Sequence, residues 1–414
     1  MNILLVSSYL PYPLFSGGHI RLYNLIKELS KKHKITLICE KRDYQTEKEI
    51  SELRKFCKKV IAVPRKKQWS LVNIIKTGFS LSSFLITGHT NAQMKKEIQK
   101  ELNENQFDLI HVETSYVIQN LPARPAGGPA GKASIPIVLV EHNVEYLVYK
   151  RFADSAPLPL KPFLYLDILK LKHWEEKMWR KAAKLVAVSE IEKKIMSKIR
   201  SDVVVVSNGV DINKFKVLKS EIRSFDGLRA KSEIRILFIG DFKWVQNRDA
   251  IEFILKEIWP KINLKFQISN FKLTLWVVGR SIPDSIKKMT SDRDIVFDEN
   301  APKETNLIYQ KSDLLLAPIR VGGGTSFKIL EAMASGVPVI TTPLGNSIEA
   351  KDNSEIVIAQ DSLEFAKKIK MLLENKEFYE TISRNARKFV EEKFDWKKIS
   401  EDLNTVYESV MPYA

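Results

Sequence analysis

The chain has 414 residues, of which 44% are apolar and 28% are charged, a composition that is ordinary for a soluble globular protein. One hydrophobic core rarely serves so long a chain, so we expect two domains of nearly equal size. Two cysteines, Cys39 and Cys57, are too few for a disulfide framework, and no stretch approaches the ~18 uninterrupted apolar residues of a membrane helix. The first residues lack the basic start of a secretory signal and run into Pro11 and Pro13, which favours a strand and a cytoplasmic protein.

The formal net charge of +16 is concentrated in the first half of the chain. Residues 1–206 contain 34 Lys and Arg against 20 Asp and Glu, which leaves only +2 for the remainder. Seven cations lie between Arg54 and Lys67 with no acid among them, and Trp69 opens an apolar stretch directly afterwards. This order favours contact with an anionic membrane surface, although a solvated lysine-rich face over a core helix is the alternative.

Short apolar runs alternate with helical patterns along the whole chain, which is typical of parallel sheets wrapped by helices. The predicted strands are residues 3–7, 35–39, 60–63, 108–112, 137–141, 185–188, 203–206, 236–239, 273–278, 295–297, 313–317, 337–341 and 356–359. We therefore predict an α/β protein with two doubly wound Rossmann-like domains that face a central cleft. The first covers residues 1–206 and the second residues 207–394, with ligands beyond the carboxyl ends of the strands.

Three further segments complete this layout. Residues 121–134 are rich in proline, glycine and alanine, which indicates a surface insertion. Residues 154–183 are predicted to be helical, first as a packing helix and only second as an interaction face. The amphipathic pattern over residues 395–414 predicts a helix that packs back on the first domain.

The segment of residues 317–340 has the features of an anion site. It combines a buried strand, the glycines from Gly322 to Gly324 and a helix that opens with Thr325 and Ser326. Glycines let the backbone approach a ligand closely, and the free N–H groups and dipole of a helix start attract negative charge.

Three side chains extend this pattern. Lys328 and Arg320 add positive charge beside the glycines, and Glu331 lies ~10 Å further along the helix axis, roughly the distance from a diphosphate to a ribose. The segment thus indicates a nucleoside diphosphate site. A plain strand-to-helix turn beside a surface glutamate would look the same, since three glycines alone are a weak motif.

Four loops resemble those of the family 4 glycosyltransferases with the GT-B fold, and the resemblance covers almost the full length. Gly17 and Gly18 follow the first strand and open a helix, similar to the family's glycine-rich loop near the donor phosphates and the acceptor. His142 follows a buried strand at the place where the family's donor sugar reacts. Residues 208–215 match the passage between the two domains, and Glu331 stands at the place of the ribose-binding glutamate.

The sequence also departs from the family pattern. A second glutamate, eight residues before the ribose ligand in many members, is Gly323 here. An arginine and a lysine expected after the first strand of the second domain are replaced by Asp241 and Asn247, as in a variant of the family that carries the glycine triplet and Lys328. Candidate cations for the diphosphate are, in order of preference, Lys328, Arg320, Arg248 and Lys243.

The resemblance implies a retaining transferase that moves a hexose from a nucleoside diphosphate sugar to a hydroxyl acceptor, with no metal or other cofactor. It implies that His142, Lys328 and Glu331 are the catalytic candidates, with Glu331 on the ribose and His142 near C6 of the sugar or the acceptor. The residues expected around the donor phosphates are Gly17, Gly18, Arg248, Arg320, Gly323, Gly324, Thr325 and Lys328.

The basic first half indicates a lipid-linked or saccharide acceptor in the synthesis of cell-surface polysaccharide or glycolipid. The protein would then lie in the cytoplasm, with a peripheral contact on the inner face of the membrane. Two alternatives stay open. A sugar nucleotide 2-epimerase has the same architecture, although Gly323 in place of a carboxylate argues mildly against it. A nucleic-acid-binding protein would suit the isoelectric point of about 9.5, but the chain lacks the interleaved basic and aromatic residues of such proteins.

Overall fold

The structure is a computed structural model that describes residues 1–122, 134–216, 233–265, 272–302, 304–321 and 325–411. The chain divides into two compact units. The first unit is Met1–Ser207 together with the chain from Ile399 onward, and the second is Asn208–Lys398. Most of the expected surface insertion lies outside the described residues. So do Gly322, Gly323 and Gly324, and their predicted phosphate contact therefore stays a prediction.

Within the described residues, the first unit contains a seven-stranded parallel sheet in the order β3-β2-β1-β4-β5-β6-β7. Its strands are β1 (Asn2–Ser7), β2 (Lys34–Lys41), β3 (Lys59–Pro64), β4 (Leu109–Glu113), β5 (Ile137–Glu141), β6 (Lys184–Ala187) and β7 (Val204–Val205). The strands that follow β1 in sequence are added first on one side of it, as β2 and β3, and then on the other side, from β4 to β7. The carboxyl ends of β1 and β4 therefore form the switch point at which such sheets bind ligands.

Helices cover both faces of this sheet, as a parallel sheet requires. They are α1 (Gly17–Leu29), α2 (Glu47–Arg54), α3 (Leu71–Gly78), α4 (Phe84–Gly88), α5 (Ala92–Glu104), α6 (Glu145–Asp154), α7 (Lys161–Lys181) and α8 (Glu190–Met196). The helix predicted from residue 154 begins later, because prolines at 157 and 159 restrict the backbone to a 3₁₀ turn at Leu158–Leu160. Helix α7 then starts at Lys161, with Pro162 in its first turn, where proline is tolerated.

Within the described residues, the second unit contains a six-stranded parallel sheet in the order β10-β9-β8-β11-β12-β13. Its strands are β8 (Glu233–Asp241), β9 (Lys272–Arg280), β10 (Ile295–Asp298), β11 (Leu314–Ala317), β12 (Val339–Thr341) and β13 (Val357–Ile358). Along β8, Ile236 and Phe238 pack into one hydrophobic core while Leu237 packs into another on the opposite face. Both faces are therefore buried, and the switch point lies between β8 and β11.

The helices of the second unit lie against these two cores. They are α9 (Val245–Phe253), α10 (Trp259–Lys265), α11 (Asp284–Lys287), α12 (Thr305–Gln310), α13 (Phe327–Ala334), α14 (Ser362–Glu374), α15 (Lys376–Lys393) and α16 (Trp396–Glu408), with a π-helical segment at Ile254–Ile258 joining α9 to α10. Helix α16 begins in the second unit and belongs to the first from Ile399 onward. There, Asn404 is hydrogen-bonded to His33 at 2.7 Å.

The predicted fold class is confirmed, because every predicted apolar run is a strand of one of the two parallel sheets. Cys39 and Cys57 are both buried thiols. Among the described helices, none is long and apolar enough to cross a bilayer.

Candidate active site

A pocket of about 200 Å³ lies at the carboxyl end of the sheet in the second unit. It is formed by the segments that follow β8, β11 and β12, so it occupies the switch point of this sheet. The residues that line it are Phe238, Gln246, Asn247, Ala250, Ala317, Ile319, Val321, Thr325, Ser326, Lys328, Leu344 and Gly345. Two residues predicted from the sequence, Thr325 and Lys328, are thus brought together here.

Lys328 is the charged group of this pocket. Its ammonium lies 5.0 Å from the centre of the Phe238 ring and donates a hydrogen bond of 2.7 Å to the side-chain oxygen of Asn247. Within the part of the chain that the structure describes, no carboxylate pairs with it. Burial lowers the pKa of Lys328 to about 8, because the neutral form is easier to desolvate than the cation. A bound anion would stabilise the protonated, positively charged form of Lys328, which burial alone disfavours.

Asn247 stands where the family resemblance places a lysine, and the structure shows which groups its side chain contacts. Its amide nitrogen donates to the backbone oxygen of Asp241 at 2.8 Å, which leaves its oxygen directed to Lys328. A Cβ at Gly240 would come within 2.7 Å of the Asn247 side chain, so only glycine leaves this amide in place. The asparagine therefore positions a lysine that comes from another helix.

Glu331 lies one turn further along α13 than Lys328 and is half-buried. The Tyr309 hydroxyl donates to it at 3.1 Å. Burial raises the pKa of Glu331 to about 7, although the tyrosine hydrogen bond and the charge of Lys214 act in the opposite direction. The carboxylate is therefore oriented by one hydroxyl and has acceptor positions left for others.

The two predicted arginines are occupied elsewhere. Arg248 donates to the backbone oxygens of Phe242 and Lys243 at 2.8 and 3.0 Å, so it supports the loop after β8. Arg320 forms a two-pronged ion pair with Asp249, and its guanidinium lies 4.2 Å from the centre of the Phe253 ring. Neither arginine is among the described residues that line the pocket, and their predicted phosphate contacts stay predictions.

In the first unit, the structure brings together Gly18 and His142. The Tyr9 hydroxyl donates to the backbone oxygen of Gly18 at 3.2 Å. A Cβ at Gly18 would lie 3.0 Å from that hydroxyl and 3.5 Å from Cε1 of the His142 ring. Gly17 is the first residue of α1, directly before Gly18. The glycine loop and the histidine after β5 are therefore adjacent.

His142 is held by a carboxylate that the sequence reasoning missed. Its Nε2 atom lies 2.5 Å from Glu113, whose other oxygen lies 2.5 Å from Nε2 of His111. The Nδ1 atom of His111 is in turn 2.6 Å from the Tyr407 hydroxyl. Only His142 is partly exposed. Burial alone would raise the pKa of Glu113, but the two histidines lower it well below its ordinary value.

Two buried glutamates support the backbone around His142. Glu141, at the end of β5, accepts hydrogen bonds from the Ser115 amide and the Trp179 indole at 3.2 and 3.0 Å. Burial raises its pKa to about 7. Glu175 accepts from the backbone amides of Glu145 and Tyr146 and so fixes the start of α6, directly after the histidine loop.

The same rule that identified His142 could have identified Glu113. Both residues sit at the carboxyl end of a buried strand, but the predicted strand at residues 108–112 stopped one residue before Glu113. Thr114, which follows, has a φ angle of 77°, a conformation that is unfavourable for a β-branched residue. Such strain is often found at functional sites, and no local sequence pattern announces it.

Comparisons with known proteins agree with this architecture. The family model described as Glycosyltransferase Family 4 matches residues 15–214, and the model described as Glycosyl transferases group 1 matches residues 233–375. An uncharacterised 44.6 kDa protein in the cps region of Klebsiella pneumoniae is 24% identical over 417 residues, covering 97% of this chain and 98% of that protein. The capsular polysaccharide biosynthesis glycosyltransferase CapM of Staphylococcus aureus is 26% identical over 50% of this chain and 54% of its own.

A solved structure is similar over the whole length. Anabaena HepE, in complex with UDP and glucose, superposes with a TM-score of 0.63 at 16% identity, covering 99% of this chain and 100% of that chain, a likeness that shows the fold. The two doubly wound sheets and the matched models define a glycosyltransferase with the GT-B fold. Within that class, the chain belongs to the family 4 glycosyltransferases. These matches favour sugar transfer over the epimerase and nucleic-acid alternatives.

Proposed function

We propose that the protein is a retaining hexosyltransferase that uses a nucleoside diphosphate sugar as donor and a hydroxyl group as acceptor. The observation that carries this proposal is the pocket of the second unit, where Lys328 is held by Asn247 without a carboxylate partner among the described residues. The UDP and glucose bound to HepE support a nucleotide sugar as donor. The capsular role in the name of CapM supports a product in cell-surface polysaccharide or glycolipid.

The proposed chemistry depends on stabilising the leaving diphosphate. As the bond between the anomeric carbon and the diphosphate oxygen breaks, negative charge grows on that oxygen, and a fixed cation stabilises it electrostatically. Lys328 would supply this charge, assisted by Thr325 and the start of α13. The acceptor hydroxyl attacks the same face of the sugar and its proton passes to the departing phosphate oxygen, so configuration is retained. We expect no metal requirement.

Glu331 is the proposed ribose ligand. An ionised carboxylate accepts hydrogen bonds from two neighbouring hydroxyls, and Tyr309 already holds one of its oxygens in place. Because burial raises the pKa of Glu331 to about 7, part of the population is protonated at neutral pH before the ribose binds. Hydrogen bonds from ribose hydroxyls would shift this group to the charged form.

For the first unit, we propose that Gly17 and Gly18 leave room for a substrate beside His142. His142 is held by Glu113, so the proposed role is to hydrogen-bond the sugar near C6 or to assist the acceptor. The acceptor itself is proposed to be lipid-linked or a saccharide. The protein would then work in the cytoplasm, peripherally on the inner face of the membrane.

The decisive experiment measures donor binding by thermal shift and calorimetry with UDP-, GDP- and ADP-sugars. One sugar nucleotide should stabilise the wild-type chain, and Lys328→Ala and Glu331→Ala should each weaken its binding by roughly one to two orders of magnitude. Lys311→Ala and Glu377→Ala, at exposed positions of the same unit, serve as matched controls. If both pocket variants bind and turn over the donor like the wild type, the assigned site is wrong.

A further inference from the structure

Helix α3 has its apolar side on the outside. A surface helix normally buries its apolar stripe and exposes its polar residues. Here the one described residue of α3 that is buried is the polar Thr77. Six large apolar side chains of α3 and its flanks are instead exposed, with exposed fractions between 58% and 95%: Trp69, Leu71, Val72, Ile75, Phe79 and Leu81.

A second apolar segment leads into α7. The turn before this helix and its first half expose residues whose exposed fractions lie between 54% and 79%: Leu158, Leu160, Phe163, Leu166 and Leu169. The second half of the same helix is ordinary, since Leu171, Met178 and Trp179 pack into the core. The sequence pattern favoured a packing helix, but the structure leaves most apolar side chains of the first half exposed.

Contacts join these two segments into one surface. Lys170 of α7 donates to the backbone oxygen of Thr77 at 2.8 Å, and Asp167 of α7 accepts from the backbone amide of Phe84 at 2.8 Å. The Phe84 ring lies 4.8 Å from the ring of Trp69. We call the exposed apolar residues of 69–81 and 158–169 the α3–α7 surface.

The charges around the α3–α7 surface are mostly positive. Residues 65–84 contain four cations, Arg65, Lys66, Lys67 and Lys76, and no acid. In residues 154–170 there are two cations, Lys161 and Lys170, and two acids, Asp154 and Asp167, so that the two segments together carry six cations against two acids. The carboxylate of Asp167 is bonded to a helix start. An occupant of this surface must therefore accept apolar side chains and carry negative charge.

These properties separate a lipid surface from a second copy of the chain. A twofold dimer pairs a surface with itself, so two surfaces that both carry net positive charge would be brought together. An anionic bilayer instead offers an apolar interior beneath a layer of negative headgroups. Tryptophan and phenylalanine such as Trp69 and Phe163 insert at this boundary, and lysines reach the headgroups.

We propose that the α3–α7 surface lies on an anionic membrane and brings the first unit to a lipid-linked acceptor. The inference rests on the proposed function only in the choice of acceptor. Membrane binding itself needs neither the donor pocket nor His142. The two ideas can therefore fail separately.

The test is co-sedimentation of the full chain with vesicles of phosphatidylcholine that contain about 30% phosphatidylglycerol, compared with phosphatidylcholine alone, at low and high salt. We expect binding to the anionic vesicles that weakens with salt. The double variant F163S/L166S and, separately, W69S/F79S should each lower the partition coefficient by about tenfold or more. The reversal K66E/K67E should remove most of the salt-dependent part.

Controls come from the second unit. Val296→Ser and Leu307→Ser remove exposed apolar side chains elsewhere, and Lys351→Glu reverses an exposed charge. These variants should bind vesicles like the wild type, and all variants should keep the donor-induced thermal shift. Absence of vesicle binding at low salt, or unchanged binding of the α7 double variant, would overturn the proposal. If light scattering shows a dimer of the wild-type chain, and both double variants are monomers, the surface would be assigned to a second copy of the chain instead.

Discussion

The carboxyl ends of the two sheets hold their buried ionisable groups in different ways. In the first unit, His142, Glu113, His111 and Tyr407 form a continuous chain of hydrogen bonds. In the second unit, the ammonium of Lys328 donates to the amide oxygen of Asn247, and the lysine lines a pocket. The first arrangement fixes a side chain in place, whereas the second keeps a positive charge available to a ligand.

The difference has an energetic consequence. Removing a buried carboxylate that is hydrogen-bonded to two histidines is costly, because each histidine then stays buried without a hydrogen-bond partner. A lysine at a pocket wall can be removed at little cost, since water can enter the space. Substitutions in the hydrogen-bonded chain of the first unit should therefore affect folding and activity together, whereas substitutions in the pocket of the second unit should affect activity alone.

The largest expected effect is that of Glu113→Ala. Removing the carboxylate leaves His111 and His142 without their shared partner, which should lower the free energy of unfolding by about 3–5 kcal/mol. Chemical denaturation of the full chain, followed by tryptophan fluorescence, measures this loss. Glu104→Ala, at an exposed position of α5, is the control. An unchanged denaturation midpoint for Glu113→Ala would contradict the comparison between the two units.

Asn247→Ala should have the next largest effect, and on donor binding alone. The loss of a hydrogen bond to a charged group costs about 1.5 kcal/mol, which corresponds to a roughly tenfold weaker donor affinity. Calorimetric titration with the stabilising sugar nucleotide checks this value. Gln246→Ala, which lines the same pocket, should bind nearly like the wild type. Equal affinities for Asn247→Ala and Gln246→Ala would remove the positioning role of Asn247.

A smaller effect is expected from pH. Glu331 becomes a carboxylate as pH rises through its raised pKa of about 7, and Lys328 loses its charge as pH rises through its lowered pKa of about 8. Donor affinity should therefore be greatest between these two values and fall on either side. Calorimetry across this range at constant ionic strength tests the shape. Lys328→Arg should keep affinity at high pH, and Glu331→Gln should flatten the acid side; a profile that neither substitution changes would reject these assignments.

The smallest effect should be that of Arg320→Ala. Its guanidinium is already paired with Asp249, and an exposed ion pair contributes at most about 1 kcal/mol to stability. We expect donor affinity to change by less than about threefold, which titration can resolve. A loss as large as that of Asn247→Ala would instead mean that Arg320 leaves Asp249 and binds phosphate, as the sequence predicted.

The sequence was sufficient for the layout of the chain. Apolar runs of strand length alternate with helical patterns, and this local periodicity depends only on neighbouring residues. The glycine loop at Gly17 and Gly18, the histidine after β5 and the helix with Lys328 and Glu331 were predicted from the family resemblance and from their positions after apolar runs. Each lies at the carboxyl end of a strand, the one place where a doubly wound sheet binds its ligands.

What only the tertiary structure decided are the partners of these residues. Glu113 at the end of β4 contacts His142 after the neighbouring strand β5. Asn247 and Lys328, which are 81 positions apart in sequence, are hydrogen-bonded, and Arg320 is paired with Asp249. The exposure of the apolar face of α3 belongs to the same group. Local periodicity shows that a helix has an apolar face but cannot show whether anything covers it, because covering depends on contacts between distant parts of the chain.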